Sequence, residues 1–348
     1  MPLHAACANP YLDNDVVEFL MQQSPTNSLT LPDATGYSPL YHVCSRTRPV
    51  CSLLDENETS STQTTNVNAE SSLLQQQQAA LYKLISKMLP YYSNFDGVTT
   101  PRGWTLLHAA ARQGWCGVDV LQLLIQQNPN QLYARTEPQG WTPLHVACGA
   151  TPTTNNDAQT AMISFLAQQA PTTLHQPDAT LTRSTPVEYA VRKHSLAVVR
   201  ALLEPIPNHN DEDSHGQDSP YLSPHRSKSR GTTLLLHLAA QWNPHVAVLE
   251  YLCHRYPHMV STIPAATRVW SSQRHSKTST TSMTLMLPLH WACATLAPLA
   301  NIQVLVRAHP VALMQRDAQR HRTPLEICQT KHGAASYVAY LQTVTNQV

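Results

Sequence analysis

Short apolar segments recur along the 348-residue chain, and each one ends at a proline. They read "VVEFLMQQSP", "VLQLLIQQNP", "MISFLAQQAP", "VLEYLCHRYP" and "NIQVLVRAHP", and each has a leucine five residues before the proline. Their apolar residues are three and four positions apart, which places them on one face of an α-helix. Because proline cannot continue a helix, each segment is predicted to be a helix that stops before its proline.

A second pattern precedes each of these segments and starts with Thr-Pro, Ser-Pro or a close variant, as in "TPLHVAC" and "SPLYHVC". Proline suits the first turn of a helix, and a hydroxyl in front of it can cap that helix. The chain is therefore predicted to be one series of helix pairs. Eight pairs cover nearly all of it, with units near residues 1–32, 33–99, 100–134, 135–177, 178–207, 232–263, 285–314 and 315–348.

Three stretches interrupt the series at residues 48–78, 208–231 and 264–284. They contain few apolar residues and much Ser, Thr, Asn, Gln and Pro, so they are predicted to be disordered inserts. The first unit begins at "MPLH", without the turn that precedes the other units, which indicates a fragment or an imperfect first unit. The last helix, "AASYVAYLQTVTNQV", is suited to cap the series.

The segments "GWTPLHVAC", "GWTLLHAAA", "DATGYSPLYHVC" and "LPLHWAC" resemble ankyrin repeats, whose hallmark is T-P-L-H-x-A in a unit of about 33 residues. The likeness is weaker in units five and eight, where Glu188 and Glu326 replace the histidine. The resemblance implies a mainly α fold, an ankyrin-repeat solenoid of helix-turn-helix units joined by short β-hairpin loops. The Asp-x-x-Gly hairpin tip of the family is matched by Asp33 to Gly36.

A histidine and a cysteine three residues apart, such as His290 and Cys293, have the spacing of metal ligands. Zinc needs about four ligands, and the other complete pairs lie in units too distant to contribute. Ala111 and Ala240 take the cysteine position in two units, which indicates a small buried site rather than a metal centre. The resemblance implies that the motif histidines tie neighbouring repeats together; they are His4, His108, His145, His237 and His290.

The chain lacks the motifs of nucleophilic, metal-dependent and nucleotide-binding enzymes, so we expect no catalysis, no cofactor and no metal. Cys116 follows Arg112 closely, which favours either a thiol of lowered pKa or a plain turn residue. The 8 cysteines accompany no secretion signal and are expected to be reduced. The expected location is intracellular and cytoplasmic, with the nucleus as an alternative.

The net charge is +1, which gives no overall attraction to nucleic acid or to an anionic membrane. We therefore expect one or more proteins as partners and no membrane insertion, while the oligomeric state stays open. Basic stretches at 223–230, 268–277 and 316–322 keep a second interpretation open, a nuclear regulatory or nucleic-acid-associated ankyrin protein. A third interpretation is a fragment of a membrane protein.

In the ankyrin family, partners generally bind the concave side, which hairpin tips and the ends of the first helices form. The resemblance carries this role to the tip residues Tyr37, Arg102, Trp104, Gln139 and Trp141, and to the helix residues Arg46, Arg112, Gln113 and Trp242. Tyr, Trp and Arg are enriched in binding hot spots. Three of the rings repeat at one position of consecutive units. They form either a ladder for a partner or a packing row along the hairpins.

Overall fold

We analysed a computed structural model of the chain, which describes residues 2–11, 14–25, 29–48, 63–92, 100, 102–152, 156–204, 232–261, 286–317 and 320–347, without the side chains of 63–70, 156 and 232–234. The described residues are mainly helical, which confirms the predicted fold class. They form two compact units, an N-terminal unit (Met1–Thr180) and a C-terminal unit (Leu181–Val348). The prediction of a single continuous array stays a prediction.

The N-terminal unit contains four helix pairs within its described ranges. The helices are α1 (Pro2–Ala8), α2 (Asn14–Gln23), α3 (Pro39–Cys44), α4 (Gln63–Met88), α5 (Leu106–Gln113), α6 (Val118–Gln127), α7 (Pro143–Gly149) and α8 (Asn156–Gln169). The first helices of the pairs, α1, α3, α5 and α7, pack side by side. The second helices, α2, α4, α6 and α8, form the adjacent layer. The core lies between the two layers and holds fully buried residues such as Leu40, Leu107 and Ile163.

The C-terminal unit repeats this two-layer arrangement. Its helices are α9 (Pro186–Lys193), α10 (Leu196–Leu203), α11 (Thr232–Trp242), α12 (Val246–Arg255), α13 (Pro257–Val260), α14 (Pro288–Thr295), α15 (Leu299–Ala308), α16 (Pro324–Gln329) and α17 (Ala335–Thr345). The helices α9, α11, α14 and α16 pack in one row, and α10, α12 and α15 pack in the other.

The first helices begin where the Thr-Pro signal predicts. Thr105, Thr142, Thr185 and Thr323 accept the backbone N–H three residues ahead, and the residue at that position bonds back to the threonine N–H. This reciprocal capping satisfies two backbone donors that a helix start leaves open. The second helices end before prolines that start short 3-10 turns, as at Pro129–Tyr133, Pro171–His175 and Pro310–Leu313.

The turns before the first helices are tight, and within the described ranges they form no β-strands. Backbone bonds close them, among them those from Asp33 N to Tyr37 O at 2.8 Å and from Thr136 N to Trp141 O at 2.9 Å. Gly103 adopts a φ of 70°, and a Cβ there would lie 2.8 Å from Arg135 O, so only glycine fits this close approach.

The insert predicted at 48–78 differs from the structure in its second half, because α4 already begins at Gln63. Residues 63–78 include 5 glutamines, which are polar but favour helices, so a prediction based on polarity alone missed this part of the helix. Leu74 is buried, as are Leu81, Leu84 and Ile85 further along the same helix. The remainder of that insert, 49–62, and the predicted inserts at 208–231 and 264–284 lie outside the described residues.

Candidate partner-binding surface

Three aromatic residues of the N-terminal unit occupy the same position relative to the first helices. Tyr37, Trp104 and Trp141 each stand directly before the residue that caps α3, α5 or α7. All three side chains are partly exposed. We call the surface formed by Tyr37, Tyr41, Arg102, Trp104, Arg112, Gln139 and Trp141 the tip surface.

Tyr37 stacks on Tyr41 of α3 with ring centroids 4.7 Å apart. The turn beneath them is fixed by Asp33, which accepts hydrogen bonds from the N–H groups of Thr35 and Tyr37 and lies 2.8 Å from His42 Nε2. Although partial burial opposes it, hydrogen bonding from Thr35, Tyr37 and His42 holds the pKa of Asp33 well below its usual range. The Asp33 carboxylate is therefore ionised and already occupied.

Trp104 carries a cation on one face. The guanidinium carbon of Arg112 lies 5.8 Å from the centroid of the Trp104 ring, within the range of a cation–π contact. The same ring lies 5.8 Å from His108, the motif histidine of α5. Arg112 itself is exposed at the end of α5. Trp104 thus holds the Arg112 side chain at the surface.

The positive charge of Arg112 also acts on the neighbouring turn. Burial and the nearby Tyr37 raise the pKa of Tyr41 well above its usual range, and the positive charge of Arg112 opposes that rise. The ring that the guanidinium contacts directly is that of Trp104.

Trp141 is held more firmly than the other two rings. Its indole Nε1–H donates to Asp178 Oδ2 at 3.3 Å, and Asp178 is 3% exposed. Gln139 is half-buried, and its carbonyl accepts the N–H of Ala179 at 2.8 Å. Trp141 therefore combines packing along the hairpins with partial exposure.

Arg102 lies on the hairpin before α5 and its side chain is exposed. Its carbonyl accepts the N–H of Glu137 on the next hairpin at 2.8 Å. Consecutive tips are therefore joined through their backbones, which leaves the Arg102 side chain directed away from this contact and accessible.

Arg46 does not belong to this surface, contrary to the prediction. It is 7% exposed, and its guanidinium donates to Cys7 O at 2.6 Å, Ala6 O at 2.9 Å and Asn14 Oδ1 at 3.0 Å. The carbonyls belong to the end of α1, which needs partners for its last C=O groups. Arg46 closes the preceding helix.

Trp242 lies in the C-terminal unit at the end of α11 and is 45% exposed. Gln241 beside it accepts a hydrogen bond from the indole N–H of the buried Trp291 at 2.8 Å. Trp242 is thus an exposed ring next to a residue that is hydrogen-bonded to the core. Its predicted role in binding stays a prediction.

Sequence reasoning missed Tyr41 as part of this surface, and it missed the contacts of Asp33, His42 and Asp178 with its turns and rings. In α3 a tyrosine takes the place of the motif histidine, and the histidine stands one residue later. The "DATGYSPLYH" segment carries the signal, since an Asp-x-x-Gly turn is followed at helical spacing by two further aromatic side chains.

Residues 76–169, which hold α5 to α8 and the second half of α4, match a family model described as ankyrin repeats, in 3 copies. This part of the chain contains ankyrin repeats. Among solved structures it is similar to the human ASB11 ankyrin repeat domain, with 14% identity and a TM-score of 0.39 over 98% of this chain and 97% of that chain. No curated protein matches the chain. The predicted number of eight repeats stays a prediction.

The ankyrin histidines connect each first helix to the turn that follows its pair. The Nε2 atoms of His4, His108, His237 and His290 each lie 2.9 Å from a carbonyl oxygen, those of Leu31, Trp141, Met286 and Gln315 respectively. Because a carbonyl only accepts, Nε2 carries the proton. His108 thereby fixes the backbone of Trp141, a tip residue. At its other ring nitrogen, His108 Nδ1 accepts the N–H of its capping residue Thr105 at 3.2 Å, and His145 Nδ1 likewise accepts the N–H of Thr142 at 3.2 Å.

The motif histidine has two roles, capping the start of its helix and bonding a carbonyl of the following turn, and the repeats that depart from the motif keep only one of them. Glu188 and Glu326 accept the N–H of Thr185 and Thr323, so glutamate keeps the capping task. An ionised carboxylate has no proton to donate to a carbonyl of the next turn. His290 shows the reverse: Leu287 precedes its helix without a side-chain cap, and His290 Nδ1 has no partner among the described residues.

The cysteines of the described ranges are free and buried; they are Cys7, Cys44, Cys116, Cys148, Cys253, Cys293 and Cys328. Burial raises the pKa of Cys116 to about 12, which contradicts the idea of an activated thiol beside Arg112. These ranges hold no group of three or more His, Cys, Asp or Glu side chains that could bind a metal ion.

Two of the three basic stretches, 223–230 and 268–277, lie outside the described residues. In the third, Arg316 bonds to His321 O and lies 3.7 Å from the Glu326 carboxylate. Within the part of the chain that the structure describes, no helix combines the length and apolar character that crossing a membrane requires.

Proposed function

We propose that this protein is a non-catalytic scaffold that binds partner proteins through the tip surface of its N-terminal unit. Ankyrin repeats are in general protein–protein interaction modules and are typically non-catalytic. The observation that supports the proposal is the alignment of Tyr37, Trp104 and Trp141 at one position of consecutive repeats, with an exposed arginine over the Trp104 ring. The residues matched by the family model include most of this surface.

The composition of the tip surface favours binding over packing alone. Tyr, Trp and Arg combine a large contact area with a polar end, and they dominate the energetics of protein interfaces. The backbones beneath these side chains are fixed by Asp33, Thr136 and His108, so little conformational entropy is lost when a partner binds. A row of partly exposed rings that is already ordered before binding is well suited to bind a partner protein.

The test compares proteins captured from a native extract by the intact chain and by a Tyr37→Leu/Trp104→Leu variant. Leucine keeps apolar bulk, so helix content and melting temperature should match those of the intact chain. A matched control is Phe19→Leu/Tyr82→Leu, which removes two exposed rings of the same unit from α2 and α4. We expect the tip-surface variant to lose specific proteins that the control retains.

Identical captured sets for all three proteins would refute the proposal, because the rings would then serve packing alone. Loss in both variants would equally count against it, since the effect would not depend on the tip surface. A salt titration of the captured complexes separates this function from nucleic-acid binding, which weakens steeply as salt rises.

A further inference from the structure

We propose that the partner segment bound by the tip surface is acidic, and that one of its Asp or Glu carboxylates pairs with Arg112 beside Trp104. This inference rests on the proposed function and specifies the chemistry of the partner. It is carried by the charges of the tip surface, by the geometry of Arg112 and by the state of the neighbouring carboxylates.

Arg112 is an exposed cation without an anionic partner among the described residues. Its guanidinium lies 5.8 Å from the Trp104 ring centroid and acts electrostatically on Tyr41. Neither Arg112 nor Arg102 forms an ion pair with a carboxylate of the described residues, whereas Lys87 and Arg316 of the same protein do. The two arginines of the tip surface are therefore available to an external anion.

The two aspartates beneath the tip surface, Asp33 and Asp178, are already engaged. Asp33 accepts hydrogen bonds from its own turn and contacts His42, and its lowered pKa reflects those bonds. Asp178 is buried and accepts the Trp141 indole N–H. Of the exposed charged side chains on these hairpins, Arg102 and Arg135 are positive and Glu137 is negative, and Arg112 adds a further positive charge. The accessible charge of the surface is thus positive.

The setting of Arg112 suits a carboxylate in particular. An aromatic ring against the face of a guanidinium leaves its edge N–H groups free, and these form a planar fork that matches the two oxygens of a carboxylate. The Trp104 ring also restricts the arginine side chain before binding, which lowers the entropy that pairing costs. A basic or neutral segment would place its own donors or apolar groups against this fork and leave it unpaired.

The experiment measures binding of dye-labelled decapeptide pools to the full chain by fluorescence polarisation. One pool has Glu at every second position and uncharged residues elsewhere; the matched pools have Gln or phosphoserine at those positions. We expect the Glu pool to bind at least about tenfold more tightly than the Gln pool, which is the discrimination expected for one charge-assisted contact. Arg112→Gln should remove most of this preference, and Arg112→Lys should retain part of it.

Arg200→Gln is the matched control. Arg200 is also exposed and lies over an aromatic ring, that of Tyr251 at 5.2 Å, but it stands 3.9 Å from the Glu204 carboxylate. Its substitution should leave binding of the Glu pool unchanged. Circular dichroism of each variant establishes that its helix content is that of the intact chain.

The inference would be overturned by equal binding of the Glu and Gln pools, by no binding of the Glu pool, or by an Arg112→Gln variant that keeps the full preference. Tighter binding of the phosphoserine pool would also overturn it, since the site would then select phosphate. None of these outcomes contradicts the proposed function if the Tyr37→Leu/Trp104→Leu variant still fails to capture proteins that the intact chain captures. If that variant loses none, the proposed function itself fails.

Discussion

Acid should weaken the N-terminal unit through His108, whose imidazole is buried and hydrogen-bonded in its neutral form. Nε2–H donates to Trp141 O at 2.9 Å, and Nδ1 accepts the N–H of Thr105 at 3.2 Å. Burial lowers the pKa of His108 to about 4, although the bond to Trp141 O opposes this. Protonation would place a second donor at Nδ1, opposite the Thr105 N–H, and would leave a charge in the core.

The size of the effect follows from the two pKa values. The unfolded chain takes up the proton near pH 6.5 and the folded protein only near pH 4, so stability is full above pH 6.5 and declines between these values. At pH 5 the loss from this group is about 2 kcal/mol, and below pH 4 it approaches about 3 kcal/mol. This is a large share of the stability of an ordinary domain.

Urea unfolding followed by circular dichroism at pH 7.5, 6 and 5 measures this loss. His175 and His290 also have pKa values lowered by burial, so the decline of the intact chain is compared with that of His108→Gln, which keeps an amide donor without a titrating group. The intact chain should lose about 2 kcal/mol more than the variant between pH 7.5 and 5. Equal losses in the two proteins would refute the reasoning.

Three further predictions concern stability and thiol chemistry. Asn243→Ala should lower the free energy of unfolding by about 2 kcal/mol, because the buried amide donates to Val191 O and His194 O. Substitution of the exposed Asn346 by alanine should lower it by less than about 0.5 kcal/mol, and urea unfolding measures both values. Gly103→Ala should lower the melting temperature more than Gly333→Ala does. Both glycines have a positive φ, but of the two only Gly103 has no room for a Cβ. Equal decreases in melting temperature would contradict this prediction. In a Cys51→Ser variant, a thiol reagent at pH 8 should modify the protein only after urea is added, because the remaining cysteines are buried and burial raises the pKa of thiols such as Cys116. Rapid labelling without urea would show that these cysteines are accessible and would contradict the prediction.

The helix pairs were predictable because each carries its own start and stop signals. Thr-Pro fixes the beginning of α7, and Pro129 marks the end of α6, so local chemistry sets both limits. The start of α4 was not predictable from polarity, because Gln and Ser residues are compatible with a loop or with an exposed helix face. Only the burial of Leu74 against the neighbouring helices decides between them.

The positions of the tip residues were predictable, whereas their environments were not. Register relative to the capping threonine places Trp104 and Trp141 at equivalent sites, which a single sequence reveals. The partner of each ring comes from another repeat or from a later turn: Trp141 bonds Asp178, and Trp104 meets Arg112. Such contacts depend on the side chains that neighbouring repeats happen to supply, so the repeat pattern alone does not determine them.

Arg46 was predicted to lie on the binding surface but is buried, whereas Arg112 is exposed. The helix geometry explains both outcomes. Arg112 and Arg192 stand seven residues after their capping threonines, and each lies over an aromatic ring of its own repeat. Arg46 and Gln113 stand eight residues after the cap, and each donates to a carbonyl at the end of the preceding first helix. One residue rotates a side chain by about 100° around a helix axis. The eighth position therefore bonds to the preceding repeat, whereas the seventh lies against an aromatic ring of its own repeat, so we expect binding residues at the seventh position rather than the eighth.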